Sequence, residues 1–282
     1  MKTSLVALLV VGASLWGFVF FSSTESVPAA EQQRGGGQAT TTPAGPIPRT
    51  SWDGKPDLTG VWGPARYGPG PNQDIRTPSP AERNASQAEL ARLFQPWARG
   101  KSQSLTSLDD PRLHCGPYGF PKYINIPDYF VMQIVQAPKE TLVFVEYVYS
   151  GFRIIPTDGS THPKTIVPSF LGDSVGHWEE DTLVVDVTGF NGKIWLPGAP
   201  PGSGGGWITS DALHEVERWR LLDADTLEYQ ATVEDPKVMT GPWTTPKFLL
   251  KRAPPDIVPH EALCLEPEGL EHMKAVAKEQ TK

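Results

Sequence analysis

Between about residue 130 and residue 251 apolar side chains recur at every second position, and Pro, Gly and Asp interrupt the pattern at short intervals. A period of two puts successive side chains on opposite faces of an extended chain, so this stretch reads as an antiparallel meander. The predicted strands are Phe130–Gln136, Thr141–Val148, Phe152–Thr157, Ser174–Trp178, Thr182–Thr188, Ala212–Leu222, Thr226–Val233 and Trp243–Lys251, preceded by one at Leu58–Trp62. Their connections, Ala137-Pro138-Lys139-Glu140, Asp158-Gly159-Ser160, Glu179-Glu180-Asp181 and Asp223-Ala224-Asp225, hold residues that tight turns use. About nine such strands must bury a common face, and closing the sheet on itself removes its exposed edges. The expectation is an all-β fold, an antiparallel β-barrel with short peripheral helices, with a β-sandwich as the alternative.

The 29 prolines and 27 glycines leave room for few helices. One is predicted over Ser79–Arg99, where Ser79-Pro80 is a start signal and Ala88, Leu90, Ala91, Leu93 and Phe94 follow at near-helical spacing. A second, polar helix is predicted at the C-terminus over Pro267–Lys282. The Pro/Gly insert Pro197–Gly206, beside Trp207, reads either as a mobile flap or as an inert surface loop.

The N-terminus follows secretory logic: Lys2, an apolar run Leu5–Phe21, then small residues at Val27-Pro28-Ala29-Ala30. Residues 1–30 are expected to be a signal peptide, or an uncleaved N-terminal anchor, since a run of about 17 apolar residues approaches the shortest membrane span. Residues 31–49 are Gly, Gln, Thr and Pro with little apolar bulk and read as a disordered spacer. The remainder, 50–282, is expected to be a single barrel domain in the periplasm or secreted. Neither cysteine follows the apolar run, which excludes a lipoprotein anchor. In an oxidising compartment Cys115 and Cys264 are expected to form one disulfide, with two buried thiols as the alternative.

With 39% apolar residues and nine tryptophans the chain can bury a sizeable core. A net charge of −7 without a Lys/Arg cluster argues against nucleic acid as a partner. Contact with a membrane is expected only through an uncleaved N-terminal segment.

The segment Asp57-Leu58-Thr59-Gly60-Val61-Trp62 resembles the opening strand of lipocalin-like barrels, and that resemblance implies an indole laid across the barrel's closed end. The same Gly-x-Trp spacing recurs at Gly176-His177-Trp178. Several stretches are similar to a large uncharacterised family of exported bacterial proteins: Pro56–Trp62, Cys115–Pro121, Gly172–Glu179 running into Asp181–Asp186, Leu213–Arg218 and Val233–Pro236. This resemblance implies a fold and a compartment; it implies no activity, cofactor or catalytic residue.

Alternation along Ala212–Leu222 sets Leu213, Glu215, Glu217, Trp219 and Leu221 on one face, with His214, Val216, Arg218 and Arg220 on the other. If the first and more apolar face lines the barrel, Glu215 and Glu217 repel each other in a confined space, and one holds a proton tightly enough to act as general acid or base. Cross-strand ion pairing is the ordinary alternative. His177, beside Trp178 and close after Asp173, is a third catalytic candidate, and an Asp158–His162 pairing at a barrel mouth is a further possibility. No His-x-His, His-Glu-x-x-His or ligand-spaced cysteine pair is present, so no metal site is expected, although His177, His214 and a carboxylate from separate strands remain conceivable ligands. The Gly-flanked serines Ser160 and Ser203 lack the strand, elbow and helix that a hydrolase nucleophile needs.

Aromatic residues are too numerous for one narrow stack, and Trp62, Trp178, Trp219, Tyr147 and Phe144 are the candidate wall of an apolar cavity. Three function classes follow. The first is a barrel that binds a small apolar or amphipathic molecule; the second is a cofactor-independent isomerase, hydratase or cyclase; the third is a structural envelope protein.

Overall fold

The computed structural model describes residues 45–63, 78–111, 116–124, 131–146 and 151–260. The predicted targeting segment, Cys115, Cys264, Tyr147 and the C-terminal helix lie outside these residues. The elements in chain order are β1 (Gly60–Gly63), α1 (Pro80–Leu93), α2 (Pro96–Ser104), β2 (Met132–Gln136), β3 (Glu140–Val145), β4 (Gly151–Pro156), β5 (Asp173–Glu179), β6 (Thr182–Thr188), β7 (Trp195–Leu196), β8 (Trp207–Ile208), β9 (His214–Asp223), β10 (Thr226–Glu234), β11 (Trp243–Thr244) and β12 (Phe248–Arg252).

Nine strands hydrogen-bond side by side in the order β4-β3-β2-β1-β12-β10-β9-β6-β5, with β11 added on β10. Every neighbouring pair is antiparallel. The end strands β4 and β5 meet through side chains, not a backbone ladder. At this seam a Cβ on Gly176 would lie 2.8 Å from Ile155 Cγ2, so only glycine lets the edges approach. The result is a nearly closed barrel-like sheet.

Two helices replace the single predicted one. Pro96 removes a backbone donor and holds Gln95 extended (φ −59°, ψ 148°), so α1 ends before it and α2 starts at the proline. Ser79 caps α1 reciprocally with Glu82. The predicted strand Trp243–Lys251 is likewise divided, at Thr245-Pro246-Lys247, because Pro246 has no N–H for a ladder. Across that break Thr245 Oγ1 accepts from Ala231 N at 3.0 Å.

The first Gly-x-Trp opens the sheet at β1. Trp62 is buried, donates Nε1 to Leu58 O at 2.8 Å, and carries the Arg252 guanidinium 4.3 Å above its ring centre. Arg252 also donates to Ala224 O (2.9 Å) and Thr59 O (2.7 Å), tying the last strand to the first. Gly60 takes φ 152°, a conformation that L side chains rarely adopt, and a Cβ there would also press on Arg252 Nη1.

Residues just before Thr50 are already tied to the domain: Arg49 grips Asp181 with two 2.7 Å hydrogen bonds, and Pro48 O accepts from Asp57 N. The Pro/Gly insert lies between β7 and β8 and is fastened to α2, since Ser203 Oγ donates toward Ser102 O (3.2 Å) and Leu105 O (3.1 Å). Trp207 packs on Phe94 at 4.6 Å and donates to Gln87 Oε1.

Candidate functional site

Alternation in β9 turns Leu213, Glu215, Glu217, Trp219 and Leu221 into the barrel, where each is at most 1% exposed. Both glutamates are 0% exposed. Register places Glu217 between Ala231 of β10 and Val185 of β6, and Glu215 between Val233 and Val187. These are apolar neighbours, so the charge must be met from across the interior. Arg153 of β4 meets it. Its Nη1 donates to Glu217 Oε1 at 3.1 Å and its Nη2 bonds Glu217 Oε2, a paired arrangement that suits a guanidinium and a carboxylate.

Arg153 is inward because β4 is inverted in polarity: Arg153 and Ile155 are buried, while Phe152 and Ile154 are exposed. Hydrophobicity alone would turn this strand the other way. The aromatic segment Gly116–Ile124 packs into the same interior, with Phe120 beneath Arg153 (4.2 Å from ring centre to guanidinium carbon) and 5.9 Å from Trp219. Trp219 and Tyr229 meet edge to face at 4.6 Å. Trp219 Nε1 donates to Glu217 Oε2 at 3.2 Å.

Tyr229 Oη lies 3.2 Å from Glu215 Oε1 and 3.2 Å from Glu217 Oε1. A hydroxyl has one proton to give, so both contacts are satisfied when Tyr229 donates to Glu217 and accepts the carboxyl proton of Glu215. Burial pushes the Glu215 pKa well above the ordinary carboxylate value, and the charge of Glu217 adds to this; Arg153 offsets only part. Burial, then the two glutamates, push Tyr229 up as well. For Arg153 burial works against the charge, but Glu217 outweighs it and the net shift is upward. Two polar atoms of the cluster, Glu215 Oε2 and Arg153 Nε, have no hydrogen-bond partner among the described residues.

The other predicted residues lie elsewhere. His177 is on the outer face of β5 with its side chain 59% exposed, 3.3 Å from Glu179, and does not join the glutamates. Phe144 faces outward from β3, 37% exposed, and pairs with Phe152. Trp178 is half-buried against the core, and Trp62 is buried in the core beneath Arg252. Asp158 closes its own turn by accepting from Ser160, and does not pair with His162.

His162 instead sits on the outer face of the sheet between two carboxylates, with Nδ1 2.6 Å from Asp173 Oδ1 and Nε2 2.8 Å from Asp186 Oδ1. His214 Nε2 lies 2.8 Å from the other oxygen of Asp186. Among the described residues no three His, Cys, Asp or Glu side chains are arranged to hold a metal. A cleft of about 370 Å³ lies by Glu234–Pro242, but its one buried acid, Asp235, is taken up by Ser210 N and Oγ at 2.6 Å.

Arg153 and Tyr229 were not singled out from sequence. The signal was indirect: two inward carboxylates in β9 require an inward cation, and Arg153 is the basic residue set within the apolar alternation of β4. Set against protein-family models, curated proteins and solved structures, the chain has no match.

Proposed function

We propose that this chain is an exported barrel protein that binds a small amphipathic molecule, with a hydroxyl-bearing end held by the Glu215–Arg153 cluster. The observation that supports this reading is a pair of buried polar atoms, Glu215 Oε2 and Arg153 Nε, that have no hydrogen-bond partner among the described residues. With protonated Glu215 donating from Oε1 to Tyr229, Glu215 Oε2 is an acceptor and Arg153 Nε–H a donor without a partner among the described residues, and together they complement a hydroxyl group. Leaving such atoms unmet in the interior costs about 1–3 kcal/mol each, a deficit that a bound polar group removes. Trp219 and Phe120 supply apolar contact beside it.

The test is native mass spectrometry of the protein purified from its own host, followed by identification of any molecule released on denaturation. The expected result is a retained small molecule carrying a hydroxyl, lost from Glu215→Leu. Bare chain mass, together with no uptake of fluorescent hydrophobic probes, ends this reading.

A second reading is acid–base catalysis on the bound molecule. It is favoured by the Glu215–Tyr229–Glu217 chain, in which a proton can pass between two carboxyls through one hydroxyl. Chemical alteration of the retained molecule by wild type and not by Glu215→Gln would select it over simple binding.

A further inference from the structure

The connection between β4 and β5, residues 157–172, is the chain that joins the two strands flanking the unladdered seam. Its start is anchored by Thr157 N on Lys139 O, and its end by Ser169, which exchanges backbone hydrogen bonds with Gly189 and Asn191 (3.1 and 2.8 Å). Between these anchors, Asp158–Ser160 forms a self-contained turn and Lys164 and Val167 are exposed. Two side chains fasten this middle stretch: Ile166 packs against Gly189 just after β6, and His162 makes the polar contacts to the sheet.

A neutral imidazole has one N–H to give, whereas a carboxylate only accepts. His162 places both nitrogens within hydrogen-bond distance of carboxylates, Asp173 at the start of β5 and Asp186 in β6, so the fastened state is the imidazolium. Asp186 is braced from its far side by His214 of β9, opposite which register places Glu234 of β10. Arg218, further along β9, is engaged by Glu179 and the loop's own Asp158 by Ser160, so the groups facing His162 are Asp173, Asp186 and His214.

We propose that His162 is a proton-operated latch, which as imidazolium clamps the 157–172 loop over the outer face of β5 and β6 and on losing its proton lets that loop go. Partial burial lowers the His162 pKa, but the hydrogen bonds and charges of Asp173 and Asp186 outweigh this and the net shift is upward. A raised pKa in the clamped state means that the clamp is fully present below the value of a free histidine, about 6.5, and is lost as pH rises through the clamped value. Between the two values the opening equilibrium rises by up to tenfold per pH unit, and above both it is flat.

The experiment is hydrogen exchange of the full chain over about pH 5.5 to 9, corrected for intrinsic amide rates, with the His162 titration followed by NMR. Protection at Ser169 and Asn191 should fall by up to about tenfold per pH unit above about pH 6.5 until it levels off, while Val185 in the β6–β9 ladder stays protected. His162→Gln, which cannot carry the charge, should show the low, flat loop protection of high-pH wild type, and Asp173→Asn should shrink the pH-dependent step. A His162 pKa at or below 6.5, or a loop whose protection follows the same pH profile in wild type and His162→Gln, would overturn the latch.

Discussion

Arg153 on β4 reaches through the barrel interior to grip Glu217 on β9, joining the strand at one edge of the seam to a strand two places inside the other. No backbone ladder joins β4 to β5, so this buried pair fastens the barrel from within, opposite the surface bridge that His162 makes outside.

The pair should behave as a unit. Arg153→Leu and Glu217→Leu each leave a buried charge unmatched and should cost about 3–5 kcal/mol, whereas the double variant, with both charges removed, should cost far less than the sum. Urea unfolding of the four proteins measures this directly. Additive losses would mean that the two side chains act independently.

Glu215 should be the proton holder of the two carboxyls. Its folded pKa is raised, so its contribution to stability is complete below the unfolded value near 4.5 and is lost as pH rises toward the folded one. In that window it should lower stability by up to about 1.4 kcal/mol per pH unit. Glu215→Gln mimics the protonated form and should flatten this slope while leaving stability at neutral pH unchanged or improved. Glu217→Gln should instead destabilise at neutral pH, because Arg153 loses its anion.

Arg252 should matter through shape as much as charge. It covers Trp62 and bonds two carbonyls, so Arg252→Met should cost about 1–3 kcal/mol. Arg252→Lys should recover only a small part, since an ammonium cannot both stack on the indole and reach the two oxygens. Thermal unfolding of the two variants side by side reads the difference; full rescue by lysine would reduce Arg252 to a point charge.

Glu180 sits at φ 52° in the β5–β6 turn, a left-handed conformation that an L side chain adopts at a cost. Glu180→Gly should relieve about 0.5–1 kcal/mol after allowing for glycine's greater unfolded entropy, visible as a Tm rise of about 1–3 °C. The backbone contact of Lys55 to Glu180 O does not depend on the side chain.

Local sequence determined those features that depend on period and turn chemistry. The strand Thr182–Thr188 falls where alternation predicts it, and the faces of β9 are sorted as read, because a two-residue period and an apolar majority decide which side turns inward. The Gly-x-Trp marked the opening strand, yet the Arg252 that covers it lies 190 residues later in the chain and carries no local sign of its task. Apolar spacing predicts a single helix over Ser79–Arg99, but the missing donor of Pro96 divides it in two. Tertiary structure alone decided the polarity of β4. Phe152 and Ile154 look outward and Arg153 inward because two carboxylates three strands from the seam need a cation, and desolvated charge outweighs the burial of apolar side chains at a sheet edge. The same holds for His162, whose two carboxylates come from β5 and β6, which follow it, and are brought to either side of its ring only when those two strands pair.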